Sequence, residues 1–140
     1  EVAAKLNIDR TFISRLEKMG EIRKGNSIAV IAFPVLNKDQ LLQLLKKHGI
    51  DYHLVMTETE RWNFVKNRSG IELLNEITDI LAKLKDFDAI IMIGSNQRVK
   101  IFEALFSQKV IGIEIGESPI EEDRNVNLVK LEEIINSIQV

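Results

Sequence analysis

The 140-residue chain predicts an α/β domain: a four-stranded, mostly parallel sheet with helices on both faces, preceded by a pair of short helices. Two observations predict this. From Ser27 onward, short apolar runs alternate with segments whose apolar residues recur every three to four positions. The runs are apolar at consecutive positions, as strands covered on both faces are, whereas half-exposed antiparallel strands alternate apolar and polar.

The elements follow in order. "SIAVIAF" (27–33) reads as a buried strand between "KGN" and Pro34. "NKDQLLQLLKKHG" (37–49) is a helix with Asn37 as N-cap, lysines in the last turn and Gly49 as the stop. "YHLVM" (52–56) is a shorter strand. A helical region from Thr57 to about Lys85 breaks near "NRSG" (67–70), and Thr57 with Glu60 forms a capping box at its start. Its tryptophan, Trp62, is expected against the sheet edge or a partner subunit. "AIIMIG" (89–94) is the most apolar strand, "NQRVKIFEALFS" (96–107) a helix, "VIGIEIG" (110–116) the fourth strand and "NLVKLEEIINSI" (127–138) the closing helix. Four such units make a small doubly wound, Rossmann-like or flavodoxin-like domain over 26–140, with strand order 2-1-3-4 and right-handed crossovers.

Composition narrows the function classes. Apolar residues make up 45% and charged residues 29%, the balance of a water-soluble globular chain. No apolar run approaches the ~18–20 residues that span a bilayer, and no signal-peptide pattern is present, so no membrane association and a cytoplasmic location are expected. With no cysteine, disulfides, thiolate nucleophiles and thiolate metal sites are all excluded. His48 and His53 lack a familiar ligand spacing, and no metal is expected. The net charge of −2 divides unevenly: residues 1–25 carry six basic and four acidic side chains, the remainder 13 basic and 17 acidic. A basic head on an acidic body suits a head that meets phosphate.

In an open parallel sheet, ligands bind beyond the strand C-termini where the strand order reverses. That places Pro34 and Asn37, then Gly94, Ser95, Asn96 and Gln97, and Glu117 from the fourth strand's end, around one crevice. Gly94 permits a close turn, Ser95 or Asn96 caps the next helix, and the helix end offers N–H groups to a small anionic effector. Neither GxGxxG nor GxxxxGK[ST] occurs, so no cofactor is expected. The acidic "ESPIEEDRN" (117–125) reads as a solvated loop.

The opening stretch, "VAAKLNIDRTFISRLEKMG" (2–20), has apolar stripes at Val2, Ala3, Leu6 and at Phe12, Ile13, Leu16, separated by "NIDR". Asn7 suits the left-handed end of one helix and Asp9 the N-cap of the next. With Ala3, Asn7, Ile8, Ile13 and Leu16 in place, and "ISRLE" at 13–17, the segment 1–25 resembles a partial helix-turn-helix of the phage-repressor (Cro-like) class of bacterial regulators. The resemblance implies that Arg10, Thr11, Ser14 and Arg15 read double-stranded DNA, with Lys18 near a phosphate. It also implies a homodimer, because one recognition helix covers a half-site. A preceding helix normally completes this motif, so residues upstream of Glu1, the neighbouring domain or a second subunit are expected to cover Val2, Ala3, Ile13 and Leu16. The expectation is therefore a non-enzymatic transcriptional regulator whose α/β domain senses a ligand or dimerises. The alternative is a small α/β enzyme or a nucleotide- or anion-binding protein using the loops at 94–98 and 114–119.

Overall fold

The structure, a computed structural model, describes residues 27–139. The expected helix-turn-helix residues Arg10, Thr11, Ser14, Arg15 and Lys18 lie outside that range.

The element order is β1 (Ile28–Ala32), α1 (Lys38–Lys47), β2 (Tyr52–Val55), α2 (Glu58–Lys66), α3 (Gly70–Leu84), β3 (Ala89–Ser95), α4 (Asn96–Phe106), a 3-10 turn (Ser107–Lys109), β4 (Val110–Gly116) and α5 (Leu128–Gln139). The strands form a four-stranded sheet in the order β2-β1-β3-β4, parallel at every pairing. The expected order stands, and the sheet is wholly rather than mostly parallel.

Side chains alternate across a strand, so each apolar run feeds two cores. Ile28, Val30 and Ala32 pack with Ile91 and Ile111 against Leu41 and Leu45 of α1 and against Leu131, Ile134, Ile135 and Ile138 of α5. On the opposite face, Ala29, Ile31, Ile90, Met92 and Val110 meet Leu84 of α3 and Val99 of α4. Each fully buried isoleucine or leucine contributes roughly 1.5–3 kcal/mol over an exposed one, which is why both faces must be covered.

Local chemistry sets the helix ends. The capping box of Thr57 and Glu60 is formed, and a second, Ser69 with Glu72, opens α3 after the break at 67–70. Gly49, at a φ of 62°, lets the chain leave α1. Asn37 precedes α1 but makes no side-chain cap bond. Its amide is used elsewhere: Nδ2 donates to the Val126 carbonyl at 3.0 Å, and Oδ1 accepts from Val126 N–H at 2.9 Å. The acidic stretch 117–125 is largely exposed, with Glu117, Glu121 and Glu122 open to solvent as expected of a solvated loop. It also runs along the carboxyl edge of the sheet, where Ile120 and the following Val126 are buried and Val35 is bridged to Arg124.

Candidate ligand-binding cleft

β1 and β3 are the neighbours at which the strand order reverses. Beyond their carboxyl ends lies a cleft of about 310 Å³. Phe33 and Pro34 enter it from the end of β1, Ser95 and Arg98 from β3 and the first turn of α4, Arg61 and Glu58 from α2, and residues 118–121 from the loop after β4. The peptide bonds before Pro34 and Pro119 are both cis.

Among the described residues, Ser95 is the buried polar residue of the core. Its Oγ accepts from Arg98 N–H at 3.3 Å, the N-cap bond expected at this turn. Asn96 does not face the cleft. Its Oδ1 accepts from Ser118 N–H at 2.8 Å and from Gln97 N–H at 3.0 Å, so it ties the loop after β4 to the start of α4. Two N–H groups that the sequence reading left open for an anion are therefore capped by the chain's own side chains. Anion-binding capacity at this helix end shifts from the backbone to the side chain of Arg98.

The two guanidiniums differ. Arg61 is engaged with Glu58, its Nε 2.7 Å from Oε1 and its Nη2 2.9 Å from Oε2, and Nη2 also reaches the Ile120 carbonyl at 3.3 Å. The Glu58 N–H donates to Asp123 Oδ1 at 2.7 Å, so the start of α2 is closed by the same loop. Arg98, in contrast, makes no side-chain hydrogen bond or ion pair among the described residues and is exposed to solvent at the cleft. A cation in the first turn of a helix sits against the macrodipole, and Arg98 occupies that unfavourable place without a carboxylate to offset it.

Of the expected ligand residues, Pro34 and Ser95 line the cleft. Gly94 supports it from behind: a Cβ there would lie 2.8 Å from Met92 Cε and 3.5 Å from the Phe33 carbonyl oxygen. Gln97 and Glu117 are exposed outside the lining, and Asn37 is held by Val126. Sequence reasoning missed Arg61 and Arg98 as individual residues. The signal for Arg98 was present, a basic residue three positions after a serine cap. Nothing local marked Arg61, whose approach to the cleft is tertiary.

Among the described residues, no group of three or more His, Asp or Glu side chains could hold a metal ion. His48 instead bonds Glu132 through Nε2 at 2.7 Å, far along the chain from the cleft. No helix among the described residues is long and apolar enough to cross a membrane.

No protein-family model, curated protein or known structure matches the chain.

Proposed function

We propose that the chain is a DNA-binding regulator whose α/β domain takes up a small anion-bearing ligand in the cleft at its carboxyl edge. The observation that carries the ligand half is Arg98, a guanidinium without a carboxylate partner among the described residues, set in the wall of a recessed cleft. A guanidinium offers five donors in a fixed fork that suits carboxylate or phosphate. The cleft's volume is at the small end for ligand sites, suited to a compact molecule rather than a dinucleotide. Arg61 adds a second guanidinium that could exchange part of its bond to Glu58 for the ligand.

A binding role is favoured over turnover. No histidine lines the cleft among the described residues; of its two serines, Ser95 is engaged as a cap, and the Ser118 hydroxyl makes no hydrogen bond to either lining carboxylate, Glu58 (held by Arg61) or Glu121. Nucleophilic catalysis requires a base within hydrogen-bond reach of the nucleophile. The DNA half rests on the residue pattern of 2–20 and on the basic excess of residues 1–25. Ligand and DNA would be coupled only through a difference in ligand affinity between two arrangements of the domains.

Calorimetric titration of the full chain with inorganic phosphate, a dicarboxylate and a nucleoside monophosphate tests the ligand half. At least one probe binds saturably, and Arg98→Gln weakens that binding by roughly 10- to 100-fold, the worth of one charged hydrogen bond. Absence of saturable binding, or binding indifferent to Arg98→Gln, overturns it. The same protein titrated with random duplex DNA at several salt concentrations tests the other half: a selected sequence and a steep loss of affinity with salt are expected.

A further inference from the structure

We infer that the face formed by α2, α3 and α4 is closed by the same face of a second copy of this chain. Between these helices lies a trough of about 500 Å³ whose floor is made by Ile31, Phe33, Leu54 and Met56 of the sheet region. Its banks are unusually apolar for a surface. Trp62 is 51% and Val65 42% exposed on α2, and Ile101 and Leu105 are 46% and 56% exposed on α4. On α3, Ile77 borders the trough at 41% exposure, while Ile71 at 73% and Leu74 at 63% stand beside it as a ridge.

The extent of this surface distinguishes a partner site from ordinary scatter. These seven side chains leave on the order of 700 Å² of apolar side-chain surface outside the fold, above the ~300–600 Å² of the largest patch on a typical monomer. That area approaches the ~800 Å² per partner of a standard interface. The face therefore supplies nearly all that a stable dimer needs.

Charge and shape point to a second copy as the occupant. At 100° per residue, Ile71, Leu74, Asn75, Thr78 and Ala82 form one exposed strip of α3, and none of them is charged. The acidic residues Glu72, Glu76 and Asp79 form the neighbouring strip, on the flank away from the trough. The strip itself therefore brings no charge to a two-fold contact, in a chain of which 29% of residues are charged, while Arg61 and Arg98 stand at the trough's cleft end. A ridge beside a trough on one face is self-complementary: under a two-fold axis, each copy's Ile71 and Leu74 can be laid towards the other's trough. The trough adjoins the cleft, sharing Phe33, Arg61, Trp62 and Arg98 with it, but Leu74 and Ile101 lie outside the cleft lining, so the oligomeric test can fail without the ligand reading failing.

Sedimentation velocity of the full chain over a wide concentration range, alongside Leu74→Glu and Ile101→Glu, tests it. Both positions are exposed, and circular dichroism melting checks that each variant remains folded. The wild type is expected at twice the chain mass, each variant shifted to the monomer. A wild type that is monomeric throughout overturns the inference. Uptake of a hydrophobic dye then tells whether the trough is open for a different partner (strong uptake) or covered by the chain's own residues 1–26 (weak uptake). A dimer unaffected by either glutamate also overturns it, placing the contact on another face.

Discussion

Asn37 shows how one side chain can replace a stretch of secondary structure. Its amide is complementary to a peptide group, and it completes both hydrogen bonds of Val126 across a sequence separation of 89 residues. Removing it leaves a backbone donor and acceptor without those partners, beside a Val126 side chain that is itself buried. Asn37→Ala is expected to cost about 1–3 kcal/mol in urea unfolding. Asn37→Asp should not restore stability, because a carboxylate accepts from the N–H but opposes the carbonyl. The sequence alone favoured a helix cap, since asparagine before a helical run is statistically a cap. Nothing local reveals that a tertiary partner outcompetes that role.

Among the elements, α4 and β4 are the pair whose spacing is set by the absence of a side chain. A Cβ on Gly112 would come within 2.3 Å of Val99 Cγ1 and 3.4 Å of Val99 Cβ and Cγ2. Valine is stiff about χ1 in a helix, so relief requires α4 to move off the sheet. Gly112→Ala should therefore destabilise by roughly 1–3 kcal/mol in denaturant unfolding, and Val99→Ala in the same chain should recover part of that loss. Gly94→Ala meets the flexible end of Met92 at 2.8 Å instead, and is expected to be the milder change. The elements themselves were largely legible, because their periodicities are local: β4 spans 110–116 as read, and the break at 67–70 separates α2 from α3. The surplus on α3 was legible too. Seven leucines and isoleucines in fifteen residues cover about half the circumference of a helix, more than one sheet contact buries. The cleft was legible only in part, since the strand ends predict its place but not which side chains lean into it.

For the whole molecule, surface carboxylates that join distant elements shape the response to acid. Hydrogen bonds from His48 and then Lys47 hold Glu132 below the usual 4.5, linking α1 to α5. The ammonium of Lys38, followed by the Thr57 backbone, does the same for Glu60. A carboxylate whose pKa is lower folded than unfolded favours the folded state above the unfolded value and loses that effect as pH falls through the folded one. Stability should therefore decline as pH drops below about 4.5, and Glu132→Gln should flatten that decline. Urea midpoints across an acidic pH series measure it, with an unchanged slope counting against the His48–Glu132 link. Strand order at this scale followed from four repeated units, whereas the path of residues 117–126 across the sheet edge did not, because their acidic composition describes solvent preference and not the pull of Ile120 and Val126.

Trp62 borders both the cleft and the trough, and it is the chain's sole tryptophan. Its ring is half open to solvent, with the Lys66 ammonium 5.8 Å from the centroid. The molecule thus carries a built-in optical gauge. Drying the indole shifts its emission to shorter wavelength, and dependence on dilution or on added solute separates the two causes without any attached label.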